Sequence, residues 1–94
     1  MFVHTVFFKF TDFHDRTEAK SRLETMKGTV SSLRSIEVGL DRVGSSRSWD
    51  MVLITRFDDR AGYEAYAVDP AHLVVLSWLK PVVAESATVD YSQE

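Results

Sequence analysis

The sequence predicts an α+β domain, one antiparallel sheet with helices on a single face. Three observations carry that prediction. Strict period-two alternation runs through residues 2–10 and 50–57. Stretches with an apolar residue every three or four positions follow them, each opened by an aspartate. No internal repeat, low-complexity tract or linker divides the 94 residues, so residues 1–94 form one domain.

The elements follow in order. In the first strand, Phe2, His4, Val6, Phe8 and Phe10 point one way, and Val3, Thr5, Phe7 and Lys9 the other. TDFHD, residues 11–15, is a turn, and Asp15 with Glu18 resembles a capping box. A helix then runs to about Leu33 on the stripe Ala19, Leu23, Met26, Val30 and Leu33, weakened at Gly28 by about 1 kcal/mol relative to Ala. Ser35 to Val43 reads as the second strand, and Asp50 to Phe57 as the third, joined by a polar hairpin loop. Asp59 caps a short helix, roughly Arg60 to Val68. Asp69 caps the next, with Pro70 in its first position. That helix is apolar nearly all round, so burial on most sides is expected, and Pro81 should kink or end it. Ala87 to Tyr91 is the last strand.

The order β-α-β-β-α-α-β is that of a ferredoxin-like fold with a four-stranded antiparallel sheet. The face away from the helices still shows Val3, Phe7, Val52 and Ile54. A stable monomer rarely leaves such a face open, which implies a homodimer with two sheets packed face to face.

Composition removes several function classes. There is no cysteine, hence no disulfide, thiolate nucleophile or iron–sulfur cluster, and a reducing, cytoplasmic setting is expected. Eleven Lys+Arg against fourteen Asp+Glu give a net charge of −3 without a basic block, so neither nucleic acid nor an anionic membrane is an expected partner. No apolar run reaches transmembrane length, and the alternating N-terminus lacks a signal-peptide pattern. Asp12, His14 and Asp15 share a turn, but three ligands from one loop are too few for a closed metal site, and no metal is expected. There is no G-x-S-x-G nucleophile motif and no Gly-rich phosphate loop.

The segment YAVDPAHL, residues 66–73, carries the chemistry. The Asp69 cap puts His72 in the first turn of a helix, where the dipole disfavours imidazolium and keeps a neutral ring that can give or take a proton. Tyr66 stands six residues earlier, and a tight Asp-Pro corner brings the two toward one spot. A phenol beside a neutral imidazole can polarise a ketone and move an enol proton. Spacing alone favours a structural role: His72 donating to a carbonyl or to solvent, Tyr66 as a core aromatic with its hydroxyl at the rim. His4, on the apolar face of the first strand, is by the same standard a hydrogen-bonded core group.

The ordered set VHTVFFKF, IEVGLDR, SWDMVLITRFDD, AYAVDPAHLVVLSWLKPVV and VDY covers nearly the whole chain. It resembles the stress-responsive A/B barrel (Dabb) family. The resemblance implies a dimeric α+β barrel. One branch of that family contains a polyketide cyclase working without cofactor through a Tyr and a His. Carried over by motif, those fall on Tyr66 and His72, and a first-strand histidine falls on His4. Where that enzyme has a third-strand histidine, this chain has Met51, which implies a more apolar pocket. Trp78 shares a helix with His72 and is expected to wall the pocket.

The expected function is binding or conversion of a small hydrophobic, polyketide-like carbonyl compound without cofactor. Tyr66 and His72 would be catalytic, with His4, Met51 and Trp78 lining the ligand. Two other readings stand beside it: a non-enzymatic stress-responsive binding or structural protein, and a cofactor-free monooxygenase of the same fold.

Overall fold

Four alternating segments pair edge to edge in the computed structural model, which describes residues 1–93. They are β1 (Phe2–Phe10), β2 (Ser35–Leu40), β3 (Met51–Phe57) and β4 (Val83–Ser92), all antiparallel, in the order β2-β3-β1-β4. Three helices, α1 (Arg16–Glu24), α2 (Arg60–Ala67) and α3 (Pro70–Val82), complete the ferredoxin-like sequence of elements.

The alternation decides the faces. Val6, Phe8 and Phe10 of β1 and Met51, Leu53, Thr55 and Phe57 of β3 are buried. The apolar ones pack with Ala19 and Leu23 of α1 and Val75 and Leu79 of α3 in one core. Full burial of one such aliphatic side chain contributes roughly 1.5–3 kcal/mol, which makes this face the main source of stability. On the other face Phe7, Val52 and Ile54 are only half-buried, and Val89 and Tyr91 are exposed. Val3 is the exception there: it is fully buried, paired between Arg56 and Tyr91.

The boundaries depart from the sequence reading in five places. The first helix ends at Glu24, not Leu33, and continues as hydrogen-bonded turns. Thr25 and Thr29 hydroxyls bond to the carbonyls of Arg22 and Thr25, competing with the helical ladder, and Gly28 adopts φ 78°. The stripe survives, since Met26 and Val30 are still buried. Asp15 makes no side-chain cap bond; Asp12 accepts from the His14 N–H at 2.9 Å and starts the turn instead. β2 stops at Leu40 because the Asp41 carboxylate accepts from the Val43 and Gly44 N–H groups and turns the chain.

Pro81 lies inside the last turn of α3 without ending it, since so near the C-terminus its missing N–H removes a single bond. β4 begins directly afterwards at Val83 and runs ten residues. α3 is buried only along Val75 and Leu79. Leu73 and Val74 stay exposed, because a helix lying on a sheet presents one stripe to it.

Candidate functional site

β1 points His4 toward the helices, paired with Thr55 on β3 and Asp90 on β4. His4 Nδ1 and Asp90 Oδ1 lie 2.5 Å apart. A carboxylate only accepts, so the Nδ1–H donates, and in the neutral ring this leaves the lone pair on Nε2. The His4 side chain is 13% exposed and that of Asp90 35%, so the pair sits at the edge of the core rather than in open solvent. Beneath it, the fully buried Thr55 hydroxyl donates to the His4 carbonyl at 3.3 Å, which ties β1 to β3 at this row.

The two caps bring up the other rings. Asp59 accepts from the Gly62 N–H at 2.9 Å and starts α2. Asp69 accepts from the Ala71 N–H at 2.9 Å and starts α3 two residues after α2 ends. Across this corner the Tyr66 and His72 rings meet, with centroids 4.3 Å apart at 36°. His72 Nδ1–H donates to the Ala67 carbonyl at 3.1 Å, so again Nε2 is the free acceptor.

Burial holds the His72 pKa below its ordinary value, and the Ala67 bond acts against it more weakly. Tyr66 is 1% exposed. Its burial pushes the phenol well above the usual range, so it stays a donor, and its hydroxyl has no hydrogen-bond partner among the described residues. His4 lies 6.4 Å from the Tyr66 ring, which completes an imidazole–phenol–imidazole group.

Three participants were not singled out in the sequence. Asp90 sits in the VDY motif, but only the β1–β4 register reveals its histidine. Tyr63 precedes Tyr66 by three residues and so shares its helix face, a signal that spacing does carry. It covers His4 at 4.8 Å. Phe57, fully buried, packs against both tyrosines at 5.9 and 5.2 Å.

Met51 and Trp78 stand apart from this group. Met51 pairs with Phe8, four residues along β3 from Thr55, or about 13 Å by strand rise. Trp78 lies six residues along α3 from His72, about 9 Å by helix rise, and stacks on the Arg22 guanidinium at 4.5 Å. The space between sheet and helices beside His4 is filled by rings. Three open surface grooves exist elsewhere, and none of the three is lined by His4, Tyr66 or His72. His14 turns onto Asp12 at 3.1 Å, and among the described residues no three His, Asp or Glu side chains gather at metal-binding distance.

Fold and site together define a small antiparallel α+β protein with an imidazole–phenol cluster under its shortest helix. The chain belongs to the Stress Responsive A/B Barrel Domain family, whose model matches residues 2–93. No curated protein sequence matches it. Among solved structures it is similar to a dimeric ferredoxin-like protein from Bacteroides fragilis, with 26% identity and a TM-score of 0.83 over 98% of this chain and 95% of that one. A dimeric ferredoxin-like protein from Thermobifida fusca has 21% identity and a TM-score of 0.86 over 98% and 90%. A hydroxynitrile lyase from Passiflora edulis has 11% identity and a TM-score of 0.84 over 99% and 93%. No helix among the described residues is long and apolar enough to cross a membrane.

Proposed function

We propose that this protein is a homodimeric acid–base catalyst that acts, without cofactor, on a small hydrophobic carbonyl compound. One observation carries the reading: two imidazoles, each with Nδ1–H committed to a fixed acceptor, flank a buried phenol that has no partner among the described residues. That hydroxyl, engaged by no acceptor among the described residues, is free to donate to a bound carbonyl oxygen.

In the step proposed, His4 Nε2 takes a proton from the carbon α to a ketone. The electron pair moves onto the ketone oxygen, where the Tyr66 O–H meets it. The enolate carbon then bonds to a second carbonyl carbon of the same molecule, and that oxygen receives the proton back from an imidazolium. The product is a cyclic β-hydroxy ketone with the same atoms as the substrate. Asp90 holds the His4 tautomer and faces the charge formed on the ring. His72, neutral through burial, serves as the second acid–base group and, with Met51 and Trp78 at greater distance, shapes the apolar surroundings.

The dimer rests on the open sheet face, where Phe7, Val52, Ile54, Val89 and Tyr91 are left uncovered, and on the dimeric state named for two fold neighbours. The fold shared with a hydroxynitrile lyase is consistent with lyase-type chemistry by analogy of architecture alone.

Proton–deuterium exchange at the α-carbon of a panel of aryl ketones and 1,3-diketones tests the first step directly. The wild type should accelerate exchange, and His4→Ala or Tyr66→Phe should lower the rate roughly 10²-fold, the usual share of one acid–base group. Exchange no faster than buffer with folded dimer would sink the catalytic reading. It would favour instead a binding or structural role, which the tight filling of the site by its own rings supports.

A further inference from the structure

The His4 imidazole has a nearer neighbour than the phenol assigned to chemistry. The Tyr63 ring lies 4.8 Å from His4, against 6.4 Å for Tyr66. It also packs on Phe2 at 5.3 Å and on Phe57 at 5.9 Å. Tyr66 and Phe57 are almost wholly buried, whereas Tyr63 is half-buried. Tyr63 is thus the outer ring of the cluster, standing between His4 and solvent.

Two features make the side chain, not the helix, the part able to move. α2 is pinned at its start by the Asp59 cap, and a Cβ on Gly62 would come within 3.3 Å of the Phe57 Cβ, so the backbone lies against β3 about as closely as glycine permits. The Tyr63 hydroxyl, by contrast, has no hydrogen-bond partner among the described residues. Ring contacts alone hold it. Burial and the nearby Asp90 charge both keep the phenol protonated, so no ion pair has to break when it turns.

We propose that Tyr63 is a specificity-determining gate: its ring rotates outward and yields its place over His4 to a planar six-membered ring of the ligand. This rests on the acid–base reading of the same site and adds the ligand's shape, an aryl ketone rather than a linear aliphatic one. Stacking against the tilted imidazole and Phe2 is a geometry a flat ring satisfies and a flexible chain does not.

Acetophenone and 2-acetonaphthone are the probes, titrated into wild type, Tyr63→Ala and Tyr63→Phe while the imidazole NMR signals of His4 and His72 are followed. Tyr63→Ala should bind acetophenone at least about ten-fold tighter than wild type, equivalent to about 1.4 kcal/mol. It alone should accept the two-ring ketone. Tyr63→Phe should match wild type, because the ring stays and no hydrogen bond is lost. Equal affinity in wild type and Tyr63→Ala, with the His4 signals moving in both, overturns the gate and leaves the site reading intact. Absence of any imidazole response in all three proteins overturns the site reading and the gate with it. Should Tyr63→Ala not fold, the wild-type Tyr63 ring signals decide. They should lose their ring-current shifts when acetophenone saturates the protein, and unchanged shifts overturn the proposal.

Discussion

The two ends of β1 send alternate side chains to the same helix-covered face of the sheet, yet they do different things. At one end Phe8 pairs with Met51, next to Phe10, and both rings are buried among apolar side chains. At the other, His4 pairs with Thr55 and Asp90 and meets Tyr63, Tyr66 and, through Tyr66, His72. The apolar end needs only shape. The polar end must give each buried donor and acceptor a partner, and it does so for three of its groups: His4, Thr55 and His72. The Tyr66 hydroxyl takes no partner among the described residues and is left free to donate.

This contrast can be broken at either end. The largest stability effect belongs to the apolar end: Phe8→Ala should cost about 3–5 kcal/mol in urea unfolding and leave α-proton exchange per folded molecule near wild type. If exchange collapsed as well, the two ends would not be separable. Next comes Asp90→Asn at the polar end. It should lower exchange roughly 10²-fold, about 2.7 kcal/mol of barrier, while the unfolding midpoint moves little.

Asp69→Ala sharpens the link between cap and site. It should cost about 1 kcal/mol of stability and also perturb the His72 signals, because the cap fixes the turn that carries the ring. The smallest effect is read in pH. The folded protein holds the His72 pKa below the ordinary value of 6.5, so the unfolded chain binds the proton first as pH falls. That contribution is complete above about pH 6.5 and is lost as pH drops through the folded value. Stability measured from pH 8 to pH 5 should therefore decline, and His72→Gln should flatten the decline.

Much of the fold was legible because each strand declared its own faces. Phe2 to Phe10 and Met51 to Phe57 needed no partner to be read. The Asp59 and Asp69 caps were equally plain, since a cap is a local bond. Helix ends were less so. The stripe through Met26 and Val30 is the same whether those residues sit in a helix or in a series of turns, so periodicity could not locate Glu24 as the end.

In the site, Tyr66 and His72 were reachable through the Asp-Pro corner that joins their helices. Asp90 was not, because its link to His4 exists only in the register of two strands far apart in sequence. Met51 and Trp78 were grouped with His72 by motif and by a shared helix. Strand and helix rise put them about 9–13 Å away along their elements.

The His4–Asp90 bond has a consequence for the order in which the protein becomes itself. Its partners are 86 residues apart, nearly the whole chain. A growing polypeptide can assemble α1, β2 and β3 while His4 still waits for its carboxylate, and β1 meanwhile presents an unpaired edge on the side that β4 will take. The imidazole acquires its carboxylate partner only when the last strand zips alongside the first. Long-range pairing of this kind is slow compared with helix formation. A newly made chain should therefore pass through an interval in which much of its core is packed while the His4–Asp90 pair is still unmade.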